Sequence, residues 1–388
     1  MPLPLAWESV HAFPTANLGN PGLCPGTARL EEEVVAMLLD LFHAPPLTAQ
    51  GQILSGGTEA NLMALWMARE FTGGTEVVLP SSAHFSLTKA ARLLGLTPSW
   101  VPVDAHGRMQ VQGAARRVRR RTAAVVGLAG STELGAVDPL DELSRLALSR
   151  GVPLHVDAAF GGFVLPFRHE LGLPGIPFDF SLPGVTSMTV DPHKMGMAPI
   201  PTGSLLTRDR ELWRCIEVAS PYLTDPTSRS LLGTRPSSSV AGCFAAMMSM
   251  GRQGYQGMVR RALALTGRLR SGLEALGLPI VTEPTMNIVA ARHPNPRGLQ
   301  NALLERGWDV SAIREPPALR FVVMPHATRD SVDGLLRELA GILRTHPSAA
   351  RSPRSRGSRG GAASGRGRTG RARLEPEEVR LPRAPPSG

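Results

Sequence analysis

Lysine is almost missing from this chain. Of 42 basic residues only Lys89 and Lys194 are lysines, and all the others are arginines. Where a positive charge is merely useful, arginine has taken the place. A retained lysine therefore points to chemistry that arginine cannot do, because arginine stays protonated whereas a lysine amine can lose its proton and attack a carbonyl. Cysteine is scarce as well. Cys24, Cys215 and Cys243 lie far apart with no Cys-x-x-Cys pair, which argues against a disulfide framework or a zinc site. No apolar run approaches the roughly 20 residues that span a bilayer. The start, Met1 to Glu8, has neither the basic flank nor the apolar core of a signal peptide. A soluble, cytoplasmic protein is expected.

What the chain has in excess is arginine. The formal net charge is +10, but its distribution is uneven. From Ala350 to Gly388 ten arginines face only Glu375, Glu377 and Glu378, a net of +7, so the first 349 residues carry about +3. That end is rich in Arg, Gly, Ser and Pro and poor in apolar residues. It cannot bury a core and is expected to be a disordered tail. Its Arg-Gly spacing would allow loose binding of nucleic acid through phosphates, or it is simply a solvated appendage. The body, 42% of the whole sequence being hydrophobic, is ordinary for a globular protein.

The pattern along the body is that of an α/β protein. After a turn-rich lead through Asn17–Gly22, a helix opens at Thr27 with Glu31, Glu32 and Glu33 in its first turn, where the helix dipole favours acids. Strands are expected at 76–79, 99–103, 123–128, 153–156, 186–190 and 203–207, with helices at 85–94, 111–121 and 140–150 between several of them. Such alternation implies right-handed crossovers and a mostly parallel sheet. A polar, Pro/Ser/Arg-rich connection at 220–239 reads as a functional loop. Helices are expected at 240–250 and 258–276, followed by strands at 287–291 and 319–324 and helices at 297–306 and 329–344. The expected organisation is a lead (1–27), a large domain (28–260), a smaller α+β domain (261–345) and the tail (346–388).

Ligands of such sheets bind outside the carboxyl ends of the strands, and the polar clusters fall there. Ser55-Gly56-Gly57-Thr58 enters a helix and suits a phosphate, although Gly-Gly also serves a tight turn alone. Asp157 ends an apolar strand and could hold a cationic ring nitrogen or act as a structural acceptor. His84 could stack on an aromatic ligand or cap its own helix. Lys89 lies in an amphipathic helical pattern and reads as a surface lysine, whereas Lys194 follows a β-branched run at a strand edge. An aldehyde-bearing ring with a phosphate and a protonated nitrogen would use Lys194, Asp157, His84 and the glycine turn together, and pyridoxal phosphate is that molecule.

The segments Ser55–Asn61, Ser82–Ser86, His155–Gly162 and Asp191–Lys194 resemble the group II pyridoxal-phosphate decarboxylases, and within them the archaeal L-aspartate/L-tyrosine decarboxylases. Ser131–Gly135, Pro221–Thr224, Met286–Val289 and Leu319–Pro325 extend the likeness over about Asn17 to Leu343. The resemblance implies a fold-type I, transferase-like architecture working as a homodimer. It implies Lys194 as the Schiff-base lysine, Asp157 at the pyridine nitrogen and His84 stacked on the ring. Gly57, Thr58 and His193 fall on the phosphate side, with Thr132 and Ala159 as further cofactor contacts. Tyr222 resembles the tyrosine that protonates the substrate carbon, and Arg320 an arginine that holds the substrate carboxylate. Relatives usually start with a helix, for which the lead before Asn17 is short, and the tail has no counterpart.

The implied reaction is decarboxylation of an L-amino acid. Aspartate, giving β-alanine for coenzyme A, is the leading expectation. Tyrosine (to tyramine, for methanofuran) and glutamate are alternatives, as are a transaminating or carbon–carbon-cleaving enzyme on the same residues, and nucleic-acid binding through the tail.

Overall fold

The computed structural model describes residues 3–345. The expected tail at 346–388 and any nucleic-acid contact it makes lie outside the described residues.

Seven strands form the main sheet: β1 (Gln50–Leu54), β2 (Glu76–Pro80), β3 (Thr97–Val101), β4 (Thr122–Leu128), β5 (Leu154–Asp157), β6 (Val185–Val190) and β7 (Gly203–Thr207). Their spatial order is β1-β7-β6-β5-β4-β2-β3. Only β7 runs against its neighbours, pairing antiparallel with both β6 and β1. The central strands explain their own position. All seven residues of β4 and all four of β5 are buried; β4 is apolar after Thr122, as a parallel strand covered on both faces usually is, whereas β5 carries His155 and Asp157 into that interior. Each Val or Leu removed from water there contributes about 1.5–3 kcal/mol, so a single charge placed at Val125 would break the sheet's centre.

Helices cover the faces: α1 (Pro4–Ala12), α2 (Pro25–Leu41), α3 (Gly57–Thr72), α4 (Phe85–Leu93), α5 (Val111–Arg117), α6 (Leu140–Arg150), α7 (Leu165–Glu170) and α8 (Glu211–Arg214). The long α9 (Ser237–Ala275) follows a two-stranded ribbon of β8 (Val218–Ala219) and β9 (Thr227–Ser228). Sequence periodicity suggests two helices here. The structure runs them together across Gly251, whose φ of 53° is the one non-helical point. Beyond it β10 (Ile288–Arg292), β11 (Ser311–Ile313) and β12 (Ala318–Val322) form a separate antiparallel sheet with α10 (Pro296–Leu304) and α11 (Arg329–Thr345). This part has its own apolar cluster around Val289, Leu319 and Leu339, to which Leu269 and Leu273 of α9 belong.

Three departures from the sequence reading have physical causes. Strand β1 was not expected, since Gln50-Gly51-Gln52 is polar and carries little β preference; it forms because Ile53 and Leu54 pair with Ser204 and Gly203 of β7. The short lead does form a helix, α1, which buries Ala6 completely and lies against α9, where a Cβ on Gly242 would meet the Ala6 carbonyl at 2.9 Å. Helix α5 stops at Arg117 because the arginine run after it offers no apolar face to bury. No described helix is long and apolar enough to cross a membrane.

Candidate active site

The carboxyl ends of β4, β5 and β6 and the amino ends of α3 and α4 converge on one cavity of about 350 Å³. Its lining includes Gly57, Thr58, Asn61, His84, Thr132, Asp157, Ala159, His193 and Lys194. Eight of the ten positions singled out from sequence are therefore brought together.

The glycine turn is shaped by its neighbours. A Cβ on Gly57 would lie 2.9 Å from the Asp191 carboxylate, and a Cβ on Gly203 would lie 2.4 Å from Gly56 Cα. Only glycine lets the turn, β7 and the Asp191 loop close together. Glu59 ties the entry down by accepting from Ser55 N (2.8 Å) and Ser55 Oγ (2.7 Å). The first-turn N–H groups of α3 stay free of helical partners and face a site suited to an anion.

Asp157 is 7% exposed and fully bonded. Its Oδ1 accepts from Ala159 N at 3.1 Å and its Oδ2 from Asn61 Nδ2 at 2.8 Å. Lys194 Nζ lies 2.9 Å from Asp191 Oδ2, while Asp191 Oδ1 is buried with no hydrogen-bond partner among the described residues. His193 Nε2 stands 3.7 Å from the same carboxylate, and its Nδ1 accepts from Thr202 N at 3.2 Å. Burial lowers the pKa of His193, opposed by the Asp191 charge. Burial likewise lowers that of His84, opposed by Asp157. His155, fully enclosed two residues before Asp157, is pushed down to about 4 by burial, so it is neutral near pH 7.

Two expected positions lie elsewhere. Tyr222 is 83% exposed in the loop of the β8–β9 ribbon and does not line the cavity. That loop rests on the lead: Asn20 Oδ1 accepts from Thr224 N at 3.0 Å and from the Thr224 hydroxyl, and Gly22 N donates to Thr224 Oγ1 at 3.1 Å. Arg320, on β12, lines a separate cavity with Trp308, Ser311 and His326. Burial lowers its pKa, opposed by the charge of Glu133, whose own pKa burial raises.

Asn61, Ser86, Asp191 and Tyr255 carry parts of the site that the sequence reading assigned no role. Tyr255 is buried and its hydroxyl donates to Gly196 O at 2.8 Å, pinning the loop just after Lys194. A usable sign was present for His155, since alternate residues of a strand share a face and Asp157 is its i+2 neighbour.

A lysine amine, a bonded buried carboxylate and a glycine-formed helix entry at the carboxyl ends of a mostly parallel sheet define a fold-type I pyridoxal-phosphate enzyme. The pyridoxal-dependent decarboxylase conserved domain matches residues 22–293, and the chain belongs to that family. It is 46% identical over 343 residues to a probable L-tyrosine/L-aspartate decarboxylase of Methanothermobacter thermautotrophicus, covering 87% of this chain and 94% of that one. It is 41% identical to an L-aspartate/L-glutamate decarboxylase of Pyrococcus horikoshii, covering 88% and 90%. Among solved structures, the sphingosine-1-phosphate lyase of Burkholderia pseudomallei superposes with a TM-score of 0.82 at 28% identity, covering 87% and 82%. The protein is a pyridoxal-phosphate-dependent amino-acid decarboxylase.

The cavity suits that cofactor on its own terms. It offers an amine at Lys194, an anion at Asp157 and a Cβ-free cradle at Gly57, within a volume of about 350 Å³.

Proposed function

We propose that the substrate is L-aspartate and the products are β-alanine and carbon dioxide, the β-alanine serving coenzyme A synthesis. The observation that carries the chemistry is the convergence of Lys194, Asp157 and His84 on one cavity. Aspartate is supported by the relatives, since it is the one amino acid shared by the names of the M. thermautotrophicus, P. horikoshii and Pyrococcus abyssi proteins, the last a probable L-aspartate decarboxylase.

Bound pyridoxal phosphate supplies an electron sink for the pair left when the bond from Cα to the carboxylate breaks. Lys194 would hold it through Nζ, after giving up the contact with Asp191. Asp157 would keep the ring nitrogen charged, because a nearby anion favours the charged form. The free N–H groups of Gly57 and Thr58, with His193, would take the phosphate, and Thr132 and Ala159 would flank the ring. His84 would lie on the ring face. As carbon dioxide leaves, a proton must reach Cα. We assign that delivery to Tyr222, whose loop would have to close over a cavity of this chain or of a second copy in a homodimer. Arg320 is assigned to the substrate carboxylate, which would require the β12 segment to approach the cavity.

The test is product analysis of the purified protein with L-aspartate, L-tyrosine and L-glutamate in parallel. β-Alanine as the dominant product is expected. Tyramine formed at a much higher kcat/KM would replace aspartate by tyrosine, the reading favoured by part of the M. thermautotrophicus relative's name.

A further inference from the structure

Hydrogen-bond directions around Asn61 follow from chemistry alone. An ionised carboxylate can only accept, so Asn61 turns its amide nitrogen to Asp157 Oδ2 at 2.8 Å. The same nitrogen lies 3.0 Å from Ser86 Oγ. Both amide hydrogens are then used, and Ser86 accepts one of them. The amide oxygen is left to accept from His155 Nε2 at 3.1 Å, a nitrogen that also has Thr189 Oγ1 at 3.3 Å, and His155 Nδ1 lies 2.9 Å from Ser187 Oγ. Ser86 is 1% exposed, and its own hydroxyl hydrogen has one acceptor among the described residues, His84 Nδ1 at 2.8 Å. The backbone N–H of Ser86, which cannot reverse, points at that same nitrogen from 3.3 Å.

We propose that Asn61 and Ser86 are positioning residues that hold His84 as a neutral imidazole with its single proton on Nε2. The relay runs one way, from buried His155 through Asn61 and Ser86 to His84. A proton placed on His84 Nδ1 would face the Ser86 N–H, and turning the Ser86 hydroxyl to accept it would leave a buried hydrogen without a partner. The groups acting on His84 are Asp157 and Asp191, which favour its charged form, and Lys194 and Lys89, which oppose it. Phe85 packs on the ring with centroids 4.0 Å apart. His84 thus caps α4 through Nδ1, which leaves Nε2 free of that cap, and its side chain is part of the cavity lining.

A neutral donor suits this reaction better than a cation. A substrate carboxylate loses its charge as carbon dioxide departs, so a second positive charge at His84, beside the one assigned to Arg320, would stabilise the ground state more than the transition state. A neutral N–H orients the carboxylate at less cost to its loss. This part rests on the proposed place of His84 beside the cofactor ring, whereas the tautomer can be read without turnover, so the two can fail separately.

The experiment is nitrogen-15 spectroscopy of the full chain labelled at histidine, carrying its cofactor and then freed of it, at neutral pH. His84 is assigned by the signal lost in His84→Gln. A proton on Nε2 and a bare Nδ1 are expected in both forms. A proton on Nδ1, or on both nitrogens, would overturn the proposal without recourse to any further variant. Asn61→Ala is expected to release the Ser86 hydroxyl, give a mixture of tautomers and lower kcat about tenfold with a smaller change in KM, within what misplacing a reacting group costs. Ser86→Thr, which keeps the hydroxyl, should keep the tautomer, whereas Ser86→Ala should lose it. A single unchanged tautomer in Asn61→Ala would remove the relay.

Discussion

Asp157 and Tyr222 are assigned to the same reaction, yet they sit in contrasting surroundings. Asp157 is 7% exposed, ends a wholly buried strand and has both carboxylate oxygens bonded. Tyr222 is 83% exposed on a loop held to the lead mainly by Asn20 and Gly22. The cavity floor is positioned by packing and redundant hydrogen bonds, so it is set before any ligand arrives. The loop is held by a few exposed polar contacts, each worth about 0.5–1.5 kcal/mol, so it can open and close at little cost. A decarboxylase needs both: a fixed place for charge to develop, and a gate that controls when a proton arrives.

The comparison breaks most sharply at Lys194. Lys194→Ala should abolish turnover and the adduct that borohydride traps between protein and cofactor; the side chain is 35% exposed, so little packing is lost, but the melting curve should fall because Asp191 is left buried without its cation. Normal turnover with a trappable adduct in that variant would end the assignment. Asp157→Ala comes next. It removes the fixed anion and leaves Asn61 and the Ala159 N–H unpaired in a buried place. A loss in kcat of about 100- to 1000-fold is expected, the range for deleting one preorganised electrostatic group. A melting curve alongside would show a cost of about 1–3 kcal/mol for the orphaned donors. The matching Tyr222→Phe change should leave the melting curve unmoved.

His155 tests the floor by pH. Its pKa is held at about 4 in the folded chain, against about 6.5 when unfolded. The folded state therefore binds fewer protons between these values, so the contribution of His155 is complete above about pH 6.5 and fades as pH falls toward 4. The slope is about 1.4 kcal/mol per pH unit in that window. Asp138 pulls the other way. Burial raises it to about 7 despite accepting from Met109 N at 2.6 Å and Leu128 N at 2.8 Å, so its contribution falls as pH rises through the same range. The readout is thus the difference between wild type and His155→Gln in urea unfolding, at two pH values. It should shrink by on the order of 1 kcal/mol on going one unit below pH 6.5; a difference independent of pH would refute a neutral buried His155.

What the sequence disclosed follows the same division. The central strands were legible because burial on both faces leaves an apolar run no other element explains. The residues that line the cavity stood out in the sequence because chemistry-bearing types fell where such sheets bind ligands, with Lys194 made conspicuous by the scarcity of lysine. Strand β1 was not legible, since its pairing depends on β7, which begins at Gly203, far along the chain, and not on its own propensity. Asn61 and Ser86 were quoted within motifs but had no visible role, because a hydrogen-bond direction is a property of three or four residues in space. Tyr222 and Arg320 came from resemblance alone, and they are the two positions that the structure leaves outside the cavity.

The smallest expected effect sharpens the loop side. Asn20 uses only its amide oxygen toward Thr224, so Asn20→Asp keeps the acceptor and Asn20→Ala removes it. Asn20→Ala should lower kcat by about 2- to 12-fold, the equivalent of about 0.5–1.5 kcal/mol in loop position, with stability unchanged because the contacts are exposed. Trypsin should cut after Arg229, which lies beyond β9 in the same connection and is paired with Glu217 at 2.6 Å, faster in Asn20→Ala than in wild type. Asn20→Asp should match wild type in both measurements. If Asn20→Ala speeds proteolysis but leaves kcat untouched, the loop is latched there and Tyr222 is not the proton donor. If it changes neither, the lead does not position the loop at all, and the contrast with Asp157 must rest on the cavity alone.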